Sequence, residues 1–92
     1  SFKYFPYEPT TLFGLQRLYR NLNNAEKYAH FSYRLGLRIH DIYSLKQAAY
    51  VYTRLNDKAN AKRVLNIIFK GYPVDNETLQ IKEMYTQKYG KL

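Results

Sequence analysis

The chain has 92 residues, of which 46% are hydrophobic and 17% aromatic, and it carries a formal net charge of +8. That length allows one domain with a single modest core, and the apolar content excludes an intrinsically disordered chain. The absence of cysteine excludes disulfides, thiolate zinc sites, cysteine-ligated iron–sulfur clusters and cysteine nucleophiles.

The first predicted element is an extended arm over residues 1–9, because Pro6 and Pro9 fix their own φ angles and disfavour helix at the preceding residue. A helix should follow from about Thr10 and end at the segment NLNN, where Asn24 can cap a second helix. The apolar stripe of the first helix is Leu12, Leu15, Tyr19 and Leu22, and that of the second is Ala25, Tyr28, Ala29, Phe31, Leu35 and Ile39.

The third predicted helix begins at Ser44, which together with Gln47 has the spacing of a capping box. Asn56 and Asp57 are expected to accept hydrogen bonds from the free N–H groups at the start of a fourth helix, over about 58–70. The predicted buried stripes of these helices are Leu45, Ala48, Ala49, Tyr52 and Leu55 for the third, and Ala61, Val64, Leu65 and Ile68 for the fourth.

The fourth helix is predicted to end at Gly71 in a left-handed conformation, ahead of Pro73. A fifth helix should follow, capped by Asp75 or Asn76 and ending near Gly90. Its inward residues are predicted to be Ile81, Met84 and Tyr85.

No segment alternates with a period of two, so the prediction is an all-α single domain over 1–92 with about five helices over 10–90. Short turns make neighbouring helices antiparallel. The third and fourth helices have the spacing of a tetratricopeptide repeat, a right-handed superhelical stack of helical hairpins in which small and large residues interlock. The positions that match are Ala49, Tyr52, Ala61, Leu65, Ile68 and Pro73.

Residues that could support catalysis are sparse. His30 and His40 lie ten positions apart, which does not place two metal ligands on one helix face. Asp41, Asp57 and Asp75 fall at predicted helix boundaries, where capping accounts for them. The chain contains no phosphate-binding loop, no GxGxxG and no GxSxG. We therefore expect a non-enzymatic protein with no catalytic residue, no metal site and no bound cofactor.

The surface residues favour a protein partner. Fifteen Lys and Arg oppose seven Asp and Glu, yet no basic block exceeds two adjacent residues, which is typical of a solvated or partner-facing surface. Tyr43 and Tyr50 are predicted to face away from the core, and Tyr50 precedes Arg54 by four residues. An exposed ring beside a guanidinium can anchor an interface or stack on a base. Lys46, Tyr50 and Arg54 are the candidate partner contacts.

The segment AAYVYTRLNDKANAKRVLNII, residues 48–68, resembles the paired-helix region of cytochrome c oxidase subunit Va, called subunit six in fungi. The positions that carry the resemblance are Ala48, Ala49, Arg54, Leu55, Asn56, Asp57, Ala59, Arg63, Val64 and Leu65. The resemblance implies a divergent, non-catalytic accessory subunit that is peripheral on the matrix side of the mitochondrial inner membrane and contacts other oxidase subunits. It also implies that the subunit binds neither haem nor copper. This chain is basic where the familiar members are acidic.

Two other functions remain open at the level of sequence. Repeat spacing and positive charge are compatible with a tetratricopeptide-like adaptor that grips an acidic peptide through Lys46, Tyr50 and Arg54. The third alternative is an RNA-binding fragment, although helical repeats that read one base each need several units in tandem. No apolar run approaches the roughly 18 residues that span a bilayer, so we expect a soluble or membrane-peripheral chain without direct nucleic-acid contact.

Overall fold

The structure, a computed structural model, describes residues 9–92, and within that range the chain forms five α-helices and no strand. The helices are α1 (Pro9–Asn21), α2 (Ala25–Ile39), α3 (Ile42–Arg54), α4 (Lys58–Gly71) and α5 (Asn76–Tyr89). Each helix packs on the next, and α5 also packs on α3. The predicted all-α stack of helical hairpins is confirmed. Helix α1 begins one residue before the predicted start, and the rest of the predicted arm lies outside the described residues.

Side-chain caps start the later helices where the sequence places short polar residues. Asn24 Oδ1 accepts a hydrogen bond from Lys27 N at 3.1 Å, which confirms the predicted start of α2. Asp75 Oδ1 accepts from Thr78 N at 2.9 Å at the start of α5. A cap satisfies a backbone N–H that has no partner within the helix, so it fixes where the helix begins.

Helix α3 begins before the predicted position. Asp41 is its cap, with Oδ1 accepting from Tyr43 N at 3.1 Å, and the Ser44 hydroxyl donates to Asp41 Oδ2 at 2.9 Å. The predicted capping box of Ser44 and Gln47 is therefore wrong. The physical reason is that a carboxylate is the stronger acceptor. His40, at a left-handed φ of 53°, also ends α2 immediately before Asp41.

Two further turn residues differ from prediction. Asn56 has a left-handed φ of 62°, a region that Asn enters more readily than most residues, so Asp57 alone caps α4. Asp57 Oδ1 accepts from Asn60 N at 3.2 Å. Gly71 stays within α4, which ends at Tyr72 in an extended conformation with φ of −137°. The predicted left-handed stop at Gly71 is wrong because extended backbone at Tyr72 redirects the chain.

Helix α3 lies at the centre of the fold, in contact with α2, α4 and α5. The main core cluster joins these four helices and consists of Ala29, Leu45, Ala48, Ala49, Tyr52, Ala61, Val64, Leu65, Ile68, Ile81 and Tyr85. Helix α1 joins α2 through a buried polar pair, in which Gln16 Nε2 donates to Ser32 Oγ at 2.9 Å. Ser32 interrupts an apolar stripe in the sequence, and this hydrogen bond explains how its hydroxyl is accommodated.

Candidate functional site

The segment that resembles the oxidase subunit, residues 48–68, lies within the α3–α4 hairpin. Ala49 and Ala61 are fully buried on its two helices, and Tyr52, Leu65 and Ile68 are buried beside them. Alanines at a helix contact let two backbones approach, and larger side chains then fill the remaining space. The structure therefore brings five of the predicted packing residues into the core.

Leu55 and Pro73 lie outside the core. Leu55 is 42% exposed and follows the last residue of α3, so the helical stripe predicted to include it has already ended. The left-handed turn at Asn56 then sends the chain into α4. Pro73 is exposed in the turn between α4 and α5.

The C-terminal end of α3 is held by α5. Lys88 Nζ donates to Thr53 O at 2.9 Å and to Asn56 Oδ1 at 3.0 Å. The Tyr89 hydroxyl donates to Thr53 O at 3.3 Å. An ammonium group at a helix C-terminus is favoured by the exposed carbonyls and the helix dipole. These contacts join residues more than thirty positions apart, which no local pattern in the sequence reveals.

Lys46 lies in the α3–α5 interface rather than on an outward surface. Its Nζ is 2.8 Å from Asp75 Oδ2 and 3.5 Å from Glu77 Oε1, and its side chain is only 9% exposed. The hydrogen bond from Lys46, followed by those from the Thr78 backbone and hydroxyl, lowers the pKa of Asp75 to about 2. The hydrogen bond to Asp75 likewise raises the pKa of Lys46. The prediction that Lys46 contacts an outside acidic partner is thereby corrected, since its charge is already paired.

Tyr50 and Arg54 do lie together on the exposed side of α3. The Arg54 guanidinium carbon is 5.8 Å from the Tyr50 ring centroid, and Arg54 Nη1 is 3.4 Å from the Tyr50 hydroxyl. A groove of about 410 Å³ separates this part of α3 from α5; its lining residues are Lys46, Gln47, Tyr50, Glu77, Gln80, Ile81 and Met84. This α3–α5 groove combines apolar walls with amide groups, the chemistry of a peptide-binding cleft.

Tyr43, the other tyrosine predicted to face outward, is 57% exposed but belongs to a different depression. A pocket of about 190 Å³ lies between α1, α2 and the start of α3, and Tyr43 lines it with Phe13 and Arg17. The Arg17 guanidinium carbon is 5.7 Å from the Phe13 ring centroid. The two exposed tyrosines of α3 therefore serve separate surfaces.

Exposed basic side chains, which sequence reasoning did not localise, are frequent on α2 and α4. They are Lys27, Arg34, Arg38, Lys58, Lys62, Arg63 and Lys70. Glu26 is the single acidic residue of these two helices, and every charged residue of α4 is basic. A shallow pocket of about 360 Å³ on α2 is lined by Tyr33, Arg34, Leu37 and Arg38.

The two histidines have separate local environments. The ring of His30 packs edge-on against Phe31 with centroids 5.0 Å apart, and partial burial followed by the Arg34 charge lowers the pKa of His30. His40 forms the left-handed C-cap of α2. Across residues 9–92, no group of three or more His, Asp or Glu side chains is placed to hold a metal ion.

None of the five helices described is long and apolar enough to cross a membrane. Comparisons with models of protein families, with curated proteins and with solved structures find no match to this chain. Its function must therefore be argued from the hairpin, the α3–α5 groove and the exposed side chains.

Proposed function

We propose that this chain is a non-catalytic accessory subunit of mitochondrial cytochrome c oxidase. In this role it lies peripherally on the matrix side of the inner membrane, contacts other subunits and supports assembly and stability of the electron-transport complex. The observation that carries the proposal is that the resembling segment, residues 48–68, lies within one hairpin and contains its turn. Ala48, Ala49 and Leu65 are buried at its contact, whereas Arg54 is exposed.

An exposed apolar pair at the end of α1 supports a role within an assembly. Leu18 and Leu22, one helical turn apart, are 46% and 62% exposed, respectively. Large apolar side chains that remain exposed along one element commonly mark a surface that a partner covers. Together with Tyr50 and Arg54, this surface gives the chain two places at which neighbouring subunits can bind.

To test this proposal, membranes from the cells that naturally contain the chain, here carrying a tag, are solubilised in detergent. The native complexes are then separated by size. We expect the chain to migrate with a large particle that shows haem a absorbance, and to be released from membranes by alkaline carbonate. A small free particle without oxidase subunits would refute the proposal.

A matched pair of variants sharpens this experiment. Arg54→Ala removes an exposed cation beside Tyr50 inside the resembling hairpin, and we expect it to lower the fraction incorporated into the particle. Lys82→Ala is the control, because Lys82 lies 5.3 Å from the Phe69 ring centroid and outside the resembling segment. Equal incorporation of the two variants would argue against a role for Arg54 in assembly.

The α3–α5 groove favours a second candidate, a tetratricopeptide-like adaptor for a protein partner. Tyr50 and Met84 line this groove and Arg54 lies beside it, while Lys46 is neutralised by Asp75 and Glu77. An adaptor would therefore use Tyr50 and Met84 for apolar contact and Arg54 for an acidic group on the partner. Binding from a peptide array that is lost on Arg54→Ala, by a chain found in no large assembly, would favour the adaptor over the oxidase subunit.

A further inference from the structure

The pocket between α1, α2 and the start of α3 brings two arginines and three aromatic rings together. We call it the Arg17–Arg20 pocket; its volume is about 190 Å³, and its lining residues are Phe13, Gln16, Arg17, Arg20, Tyr28 and Tyr43. Phe13, Arg17 and Arg20 recur at intervals of four and three residues, so they share one side of α1. Tyr28 belongs to α2 and Tyr43 to α3, so the pocket forms only when these three helices pack.

The two cations of the Arg17–Arg20 pocket have no carboxylate beside them. No Asp or Glu lines the pocket, and α1 contains none. Arg17 and Arg20 are exposed, and within residues 9–92 neither side chain forms an ion pair. The Arg17 guanidinium contacts the Phe13 ring, at 5.7 Å from the centroid, and this contact leaves its charge in place. The pocket is therefore complementary to an anionic group.

The floor of the Arg17–Arg20 pocket is fixed, and its walls are apolar. Gln16 is the one buried residue of the lining, and its Nε2 donates a hydrogen bond to Ser32 Oγ at 2.9 Å, which holds the amide in one orientation. Phe13 and Tyr43 are 51% and 57% exposed beside it, so a ligand that covers them removes apolar surface from water. Arginine and aromatic residues are the side chains that most often anchor protein interfaces.

We propose that the Arg17–Arg20 pocket binds an acidic segment of a neighbouring protein. A carboxylate of that segment binds the two guanidinium groups, and an apolar side chain of the same segment packs against Phe13 and Tyr43. Arginine and carboxylate form short, charge-assisted hydrogen bonds that are stronger than those between neutral groups. The inference rests on the proposed role as a subunit that contacts other proteins, and it adds the chemistry of one contact.

Two other anionic partners fit this pocket less well. Proteins that bind single-stranded RNA use a groove of cations that follows the backbone, together with free ring faces on which bases stack. Here two cations line the pocket, and the Arg17 guanidinium lies over the Phe13 ring. A bilayer presents a broad layer of headgroups, whereas the Gln16 floor, only 7% exposed, is reached by a protruding side chain.

The test is an NMR titration of the 92-residue chain with two peptides that differ only in charge. One has the sequence GFEEFG with blocked ends, and the other is GFQQFG. We expect the acidic peptide to bind about tenfold more tightly, because its carboxylates form hydrogen bonds with charged donors. The ring signals of Phe13 and Tyr43 should shift. The methyl signal of Met84, the one methionine of the chain, should not shift, because Met84 lines the α3–α5 groove.

Three results would overturn the proposal. They are equal binding or no binding of the two peptides, a shift at Met84 without one at Phe13 and Tyr43, and tighter binding of oligouridylate or of phosphatidylglycerol vesicles at the same rings.

Variants of equal charge loss locate the site. Arg17→Gln with Arg20→Gln should weaken binding of the acidic peptide by about tenfold and make the two peptides equivalent. The control is Lys62→Gln with Arg63→Gln, which removes two exposed cations of α4 outside the pocket and should change the affinity by less than about twofold. An equal loss in both pairs would overturn the assignment, and circular dichroism verifies that each variant keeps its helical content. A chain that is present in the oxidase particle but shows no charge-dependent peptide binding would retain the proposed function and refute this inference.

Discussion

The contact between α2 and α3 is tested most directly at Gly36. A Cβ atom at this position would lie 2.6 Å from Leu45 Cγ, 2.7 Å from Leu45 Cδ2 and 3.1 Å from Leu45 N. Leu45 is itself fully buried, so its side chain has little free space into which to move. Because one of the three close atoms belongs to the backbone, relief also requires the two helices to separate. Gly36→Ala should therefore destabilise the fold even though alanine favours helix.

The expected magnitude follows from two opposing effects. Overpacking a close contact costs about 1–3 kcal/mol, whereas alanine in place of glycine inside a helix contributes about 0.5–1 kcal/mol. The free energy of unfolding of Gly36→Ala should fall by about 0.5–2 kcal/mol on this reasoning. In a domain of this size, each kcal/mol lowers Tm by about 4–8 °C. Urea unfolding followed by circular dichroism measures the change.

Gly14 offers a matched control within α1. Among the described residues, no heavy atom lies within 4 Å of a Cβ built there, so Gly14→Ala should stabilise the chain by about 0.5–1 kcal/mol. A second control places Gly36→Ala in a Leu45→Ala background, where the alanine should cost less than in the native chain. If Gly36→Ala were as stable as the native chain, or if Leu45→Ala left its cost unchanged, the close-contact explanation would fail.

Three further predictions concern polar side chains. Ser32→Ala should lower the free energy of unfolding by about 1–3 kcal/mol in urea titrations, because the Gln16 amide loses its buried partner; adding Gln16→Leu should restore most of the loss. Tyr85→Phe should leave stability unchanged or raise it by up to about 1 kcal/mol, since the Tyr85 hydroxyl is buried without a hydrogen-bond partner among residues 9–92. The lowered pKa of Asp75 stabilises the fold at pH values above 3.8, the usual pKa of this carboxyl group. This contribution should disappear as pH falls toward about 2. Asp75→Asn should abolish that part of the pH dependence, which thermal unfolding across the acid range measures; an unchanged profile would exclude the Lys46 ion pair as its source.

Local signals in the sequence account for the order of the helices. Apolar residues at three- and four-residue intervals predict α1 to α5, and short polar residues such as Asn24 and Asp75 mark helix starts because they satisfy free N–H groups. The wrong helix start predicted at Ser44 came from two competing local signals. A capping-box spacing and an aspartate three residues earlier both predicted a start, and the carboxylate of Asp41 is the group that caps the helix.

The candidate surfaces were harder to predict because they depend on contacts between distant residues. Lys46 has the sequence context of an exposed helix cation, yet its partner Asp75 lies 29 positions away, across the α3–α5 interface. Ser32 interrupts an apolar stripe in the sequence, and its hydrogen-bond partner Gln16 is on another helix. Local periodicity reports which face of a helix is apolar, but it does not report which polar side chains meet after the helices pack.

Two separate places on the chain are available to partners in the proposed oxidase role. Tyr50 lines the α3–α5 groove with Arg54 beside it, while Leu18 and Leu22 are exposed at the end of α1. Two sites that share no side chain should contribute independently to membrane retention. Arg54→Ala and Leu22→Ala should then have additive effects on the retained fraction, expressed as free energies, and strong coupling between them would indicate a single shared surface.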